Sequence, residues 1–195
     1  HALYLSTKTL HCGSDMESIK DTALVLSSMC DAIEIRSKYQ DTIIELAKYS
    51  TVPVINGMAS KCMHPTQALC DIFTMMEHKP ENKKLEDIVM MFIGDNSVGE
   101  NYMAGVCRTL SRLTGKLGMT FISCAPEEAA MLPVDVEYCK KEMAKSGGKF
   151  IQTTNPYEYI DMVDFIYTDS WWYHGIEHLK DEKVKLYMPK YQINS

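Results

Sequence analysis

With 195 residues, 46% of them hydrophobic and 24% charged, the chain is long enough to bury one ordinary core or two small ones and too apolar to stay disordered. Its formal net charge of −6, with basic residues gathered only over 79–84 and diluted there by Glu81, excludes a binder of phosphate backbones, so no nucleic-acid partner is expected. No apolar run approaches the roughly 18 residues that a bilayer crossing needs, and HALYLSTKTL lacks the basic-then-apolar pattern of a secretory signal; the expectation is a cytoplasmic protein with no membrane partner.

The first predicted strand is Ala2–Leu5. Ser14 and Glu17 then stand at capping-box spacing before an apolar stripe of Ile19, Ala23, Leu26 and Cys30, which predicts a helix starting near Met16. A strand over Ala32–Ile35, with Arg36 just past it, a helix over Asp41–Tyr49, and a strand over Val52–Ile55 closed by Asn56-Gly57 follow on short connections. Strands that alternate with helices imply parallel pairing.

His64-Pro65-Thr66-Gln67 opens the next helix. Proline suits the first helical position because its missing N–H would be unpaired there, and Leu69, Ile72, Phe73 and Met76 continue at helical spacing. His64 and Gln67 share a face of the first turn, where free N–H groups and the helix dipole favour negative charge. Spacing alone leaves two readings open: a capping histidine beside a solvated glutamine, or a site for a small anion or a polarised carbonyl. Open parallel sheets hold ligands outside the carboxyl ends of their strands, which brings Arg36 and His64 toward one pocket.

The polar stretch His78–Asp87, with Pro80, reads as a linker, so the predicted boundary falls near residue 80 and gives units 1–80 and 81–195. The second unit repeats the alternation: a strand over Ile88–Ile93, a helix with the stripe Met103, Val106, Leu110, Leu113 and Leu117, a strand over Met119–Cys124, a helix over Asp135–Lys145, and strands over Lys149–Gln152 and Phe165–Tyr167. The fold class is α/β, with two Rossmann-like parallel-sheet units. Gly94, Gly99 and Gly105 fall at the wrong spacing for Gly-x-Gly-x-x-Gly, so no dinucleotide is expected. The seven cysteines, at 12, 30, 62, 70, 107, 124 and 139, form no Cys-x-x-Cys pair and no zinc-like spacing with the six histidines. Reduced thiols and no metal are expected, with Cys30, Cys70 and Cys107 as small buried hydrophobes in helix patterns.

The segment TVPVINGMASKCMHPTQALCDIFTMMEHKPENKKLED resembles the transcarbamoylases, the aspartate/ornithine family that moves a carbamoyl group from carbamoyl phosphate to an amine. ESIKDTALVLSSMCDAIEIR upstream, and FIGD, KLGM, DFIYTDSW and YMPKYQIN downstream, extend the likeness over nearly the whole chain. VPVING followed by HPxQ is its specific part. The resemblance implies a partial carbamoyl-phosphate-binding domain over 1–80 and an amine-binding domain over 81–195. It implies that Arg36 and His64 contact the carbamoyl oxygen, that Gln67 holds the carbamoyl amide, and that Asp169 belongs to the amine site. His64 is then a neutral donor rather than a general base, since a cation beside a helix N-terminus is disfavoured.

Where ornithine-specific members carry a Ser-Met-Gly loop, this chain has Trp172-Tyr173-His174-Gly175, which is similar to the putrescine-specific branch. Trp172 and Tyr173 would offer ring faces to a diamine's ammonium, the alternative being a tryptophan pair packed at a domain junction. In place of a short Asn-Asn turn that contacts ornithine stands the longer NSVGENYMAG, with Asn96 or Asn101 as substitutes. The family's Ser-x-Arg-Thr-Arg phosphate loop would precede His1 and its His-Cys-Leu-Pro segment would follow Ser195, so the chain reads as a central fragment; STKT at Ser6–Thr9 lacks the arginines and reads as a loop. The resemblance further implies a homotrimer or a multiple of trimers, and no cofactor. Putrescine is the expected acceptor and ornithine the alternative; a non-catalytic or truncated family member is the reading from a different class.

Overall fold

The computed structural model describes residues 1–6, 10–14, 16–59, 62–97, 105–171 and 177–194. They pack as two units, His1–Thr66 and Gln67–Ser195.

The first unit is built on two parallel strands, β1 (Ile33–Ser37) and β2 (Val54–Ala59), with helix α1 (Ile19–Ser27) before them and α2 (Gln40–Tyr49) as the crossover. Ile33, Ile35 and Val54 turn one face of the pair toward Ala23, Leu26 and Leu46 of the helices, which buries a small core. Side chains alternate along a strand, so Glu34 and Arg36 occupy the other face and are exposed. Arg36 therefore lies inside β1, not just past it.

Three local expectations are corrected. The segment Ala2–Leu5 is not a strand: it pairs with no described residue, and Leu3 and Tyr4 are 76% and 90% exposed. Helix α1 starts at Ser18, whose hydroxyl accepts from Asp21 N–H at 3.1 Å, while Ser14 closes a turn onto the His11 carbonyl and Glu17 accepts from the Thr22 hydroxyl at 2.6 Å. Asn56-Gly57 does not end β2 but lies inside it. The ladder jumps from Ile35↔Asn56 to Arg36↔Met58, which leaves Gly57 as the extra residue of a bulge.

The second unit carries the body of α3 (Pro65–His78), then β3 (Val89–Ile93), α4 (Gly105–Lys116), β4 (Thr120–Cys124), α5 (Pro133–Ser146), β5 (Lys149–Thr153), β6 (Phe165–Thr168) and α6 (Lys180–Tyr191). Its four strands are all parallel, in the order β5-β4-β3-β6. All of β3 is buried, and its two faces feed two cores. Met90 and Phe92 pack with Ile72 and Met75 of α3, Leu110 of α4 and Met143 of α5, whereas Val89, Met91 and Ile93 pack with Trp171 and with Tyr187 and Tyr191 of α6. Helix α6, with Pro189 inside it, is an element the sequence reading did not predict. Among the described residues no helix is long and apolar enough to cross a membrane.

The described residues part by packing at Thr66/Gln67, because Ala68, Ile72 and Met75 of α3 share a core with Ile88, Met90 and Phe92. Of the predicted stripe on α3 only Ile72 is buried; Leu69, Phe73 and Met76 are 60%, 59% and 52% exposed. Cys70 is exposed as well and Cys30 half-buried, while Cys107 is buried as expected.

A charged clamp ties α4 to α5. Asp135, 1% exposed, accepts from Arg108 Nε and Nη2 at 3.1 and 2.8 Å and from Arg112 Nη2 at 2.9 Å, and the Arg112 guanidinium lies 4.2 Å over the Tyr138 ring. Removing one partner of a buried pair leaves the others desolvated and uncompensated. Asp135→Ala is expected to lower stability by about 3–4 kcal/mol, read as a fall in the urea midpoint; a change within experimental error would show that the clamp holds nothing.

Candidate active site

In the first unit, the end of β2 folds back on itself to present His64. Ala59 N–H donates to the Met63 carbonyl at 2.9 Å and Met63 N–H to the Ala59 carbonyl at 3.0 Å, so the chain re-enters α3 beside the strand it has just left. Pro65 begins the helix and Thr66 anchors it: the Thr66 hydroxyl donates to the Gly57 carbonyl at 3.0 Å and lies 3.4 Å from His64 Nδ1. A hydroxyl has one proton, and it is committed to Gly57. In the contact with Thr66, Nδ1 is therefore the donor.

The β2 bulge that carries Gly57 is shaped by Glu34. A Cβ at residue 57 would stand 2.8 Å from Glu34 Oε1 and 3.3 Å from the Ile35 carbonyl oxygen, so the carboxylate lies where any larger side chain would begin. Arg36, next but one on the same face of β1, pairs with Met58 in the ladder, one residue before the Ala59–Met63 turn. Arg36 and His64 thus stand at the carboxyl ends of two neighbouring strands. Asn56 donates its side-chain amide to Gln40 at 3.2 Å, while its own carbonyl oxygen is buried without a partner among the described residues.

Gln67 begins the part of α3 that packs with the second unit, and its amide donates to Asp71 Oδ1 at 2.9 Å, one turn along the helix. In that unit the order β5-β4-β3-β6 reverses direction at β3, with β4 reached on one side and β6 on the other. Such a switch point opens a crevice at the strands' carboxyl ends. Asp95 leaves β3 there, and Asp169, exposed, leaves β6, its carboxylate accepting from Ser170 N–H at 2.7 Å. Beneath them Tyr167 stacks on Phe92 at 5.1 Å, and burial pushes its phenol up to about 12.

Asn96 is not available as a substrate contact. It is fully buried, its amide donating to Ser123 Oγ at 2.7 Å and its backbone N–H to the Ala129 carbonyl at 2.8 Å, so it fastens the β3 exit to β4. Trp171 is 1% exposed, stacked on Tyr187 at 4.8 Å, which settles that half of the tryptophan pair as core. Trp172, Tyr173, His174, Gly175 and Asn101 lie outside the described residues, as do Thr7–Thr9 of the STKT loop. A shallow depression of about 350 Å³ at the exits of β4 and β5, lined by Ser123, Glu127, Gln152 and Thr153 among others, includes none of the expected site residues. Among the described residues no three His, Cys, Asp or Glu side chains group as a metal site. Sequence reasoning missed the partner of Asp95, which is Lys183 of α6 at 2.8 Å; the signal was an aspartate just past a strand and a lysine on a helix face shared with Tyr187 and Tyr191.

Parallel α/β units with polar groups collected at their strand exits define a ligand-binding protein of Rossmann-like type. Residues 1–77 match the profile of the aspartate/ornithine carbamoyltransferase carbamoyl-P binding domain, and residues 86–195 match that of the Asp/Orn binding domain. The chain belongs to the aspartate/ornithine carbamoyltransferase family. It is 38% identical to a putrescine carbamoyltransferase of Mycoplasma capricolum over 99% of its own length and 52% of that protein, and 37% identical to an ornithine carbamoyltransferase of Thermotoga petrophila over 100% and 58%. Its fold matches the ornithine carbamoyltransferase of Pyrococcus furiosus with a TM-score of 0.80 at 33% identity, covering 97% of this chain and 56% of that one. The chain therefore spans little more than half the length of these relatives.

The bulge gives a direct test of how the His64 end is built. Glu34 Oε1 is the free end of an exposed, flexible side chain, so Gly57→Ala is expected to lower stability by under about 1 kcal/mol, and Glu34→Ala in the same chain to recover most of that loss. Thermal unfolding of the single and double variants measures both; equal losses would show that Glu34 does not set the bulge.

Proposed function

We propose that the complete polypeptide transfers the carbamoyl group of carbamoyl phosphate to putrescine, giving N-carbamoylputrescine and phosphate. The observation that supports this reading is the parallel pairing of β1 and β2, which sets Arg36, opposite Met58, and the Ala59–Met63 turn that leads into His64 at the same end of the two strands.

The neutral amine nitrogen attacks the carbamoyl carbon, and the carbonyl electron pair moves onto oxygen. Arg36 and His64 Nδ1–H donate to that oxyanion, whose charge grows in the transition state, where preorganised donors act most strongly. Gln67 turns its amide from Asp71 to the carbamoyl nitrogen and fixes the plane of attack. The bond from carbon to the phosphate oxygen then breaks, and the departing phosphate takes the proton that the amine nitrogen loses. Asp169, exposed at the switch-point crevice, meets the ammonium end of the acceptor.

Putrescine has no carboxylate, and a loop that carries Trp172-Tyr173-His174-Gly175 in place of Ser-Met-Gly suits a ligand with only amines and methylenes. Ornithine is the second reading, because the two relatives named above differ by one percentage point of identity and divide between these acceptors. A trimer, and a cytoplasmic setting, belong to the same proposal.

Steady-state turnover of putrescine and ornithine by the complete polypeptide tests the acceptor: putrescine is expected to give the larger kcat/KM, and a preference for ornithine overturns the choice. His64→Ala is expected to lower kcat by about a hundredfold to a thousandfold, the usual effect of losing one oxyanion donor, with the unfolding midpoint kept. Wild-type kcat in that variant would remove His64 from the chemistry.

A further inference from the structure

The switch-point crevice holds two carboxylates in unlike settings. Ile93 pairs with Thr168, so Gly94 and Asp169 leave their strands level, and a Cβ on Gly94 would stand 3.9 Å from the Asp169 backbone nitrogen. Asp169 is exposed, whereas Asp95, the next residue along the β3 exit, is 8% exposed. Asp95 is gripped on both oxygens: Ser97 donates its N–H and hydroxyl to Oδ1 at 3.2 and 2.6 Å, and Lys183 Nζ lies 2.8 Å from Oδ2. The lysine side chain is itself only 19% exposed.

Lys183 is delivered by a fixed element. Helix α6 is bolted to the sheet by Tyr187, stacked on Trp171 at 4.8 Å, and by Tyr191, whose hydroxyl donates to the Thr154 carbonyl at 2.8 Å. Among the described residues, Asp95 faces Tyr187 from α6 and Cys107 from α4, with Asp169 beyond β6, Glu128 on the Tyr187 hydroxyl and Glu182 on α6; burial raises both the phenol and the thiol. A buried carboxylate stripped of its cation attracts whichever cation reaches it, and in an amine site that cation is the substrate.

We infer that Lys183 is a charge-balancing, positioning residue of the amine site, which neutralises Asp95 and leaves Asp169 as the carboxylate that the acceptor meets. This rests on the carbamoyl-transfer reading. The attacking nitrogen must shed its proton before it can bond to carbon, and a second bare carboxylate would hold that proton more tightly. Lys183 thus keeps the crevice attractive to one ammonium without trapping the nucleophile as a cation.

The test is the pH dependence of kcat and the KM for putrescine in the complete polypeptide. Lys183→Met is expected to lower the KM and to move the acid limb of kcat to higher pH by about one unit, the order set by one added charge at roughly 10 Å with an effective dielectric constant of about 20. Asp95→Asn, which leaves the lysine uncompensated, is expected to raise the KM and move the limb the other way. Asp95→Asn/Lys183→Met and Lys183→Arg should both restore the wild-type limb. A clamp without an electrostatic role would leave the limb unmoved in the single variants, or shifted alike in the double, and either result overturns the inference. Asp95→Asn decides the matter should Lys183→Met not fold. If the wild-type polypeptide turns over no amine at any pH, the carbamoyl-transfer reading falls and takes this one with it, an outcome distinct from an active enzyme whose profile stays put.

Discussion

In a parallel ladder every strand ends at the same edge of the sheet, and the crossover helices that join the strands cover its faces. The second unit obeys this strictly: β3 has neighbours on both sides and apolar cores on both faces, so its five residues are all buried. Polar chemistry has one place left to go, the rim where the strands release their chains. Asp95, Asn96 and Asp169 are there because β3 and β6 end there, at the point where the strand order reverses. The first unit repeats the principle with two strands, since Arg36 and His64 are brought to one end by the parallel pairing of β1 and β2.

Burial then sorts the carboxylates by role. Asp135, Asp164 and Asp95 all point into protein, and each has a cation at 2.9 Å or less: Arg108 and Arg112, Lys83, and Lys183 respectively. Asp164 also accepts from the Val89 N–H at 2.9 Å, which pins the start of β3 to the approach of β6. A carboxylate cannot be withdrawn from water without such compensation. Asp169 stays in solvent, with a backbone N–H as the hydrogen bond on its oxygens among the described residues.

Much of this was legible in the sequence because period-two and period-3.6 patterns report burial directly, and the alternation of strands and helices implies parallel order. The errors have local causes. Two serine-to-acid pairs at the same spacing, Ser14 with Glu17 and Ser18 with Asp21, compete for one helix start, and a local turn onto the His11 carbonyl takes up Ser14. Asn56-Gly57 carries the signal of a turn, but pairing with β1 extends the strand through it and uses the glycine for close approach to Glu34. Helix α6 escaped notice because Pro189 suggests a break and its buried residues are tyrosines. The Asp95–Lys183 pair joins residues 88 positions apart, and no single sequence states which distant lysine will neutralise which aspartate. Leu69, Phe73 and Met76 mimic a core stripe, yet the buried face of α3 is rotated by one position, through Ala68, Ile72 and Met75.

The same reasoning fixes what His64 can do. His64 directly precedes Pro65, the first residue of α3, and a helix start favours anions over cations. Thr66 has given its proton to Gly57, so the Nδ1 contact has the imidazole as donor. At 3.4 Å that contact is long for a hydrogen bond, and a charged oxygen would be a better acceptor. A carbonyl oxygen gaining negative charge is such an acceptor, and it can take over the Nδ1 proton without breaking the anchor from Thr66 to Gly57. A donor whose hydrogen bond strengthens as the oxyanion forms is what the proposed transfer asks of His64.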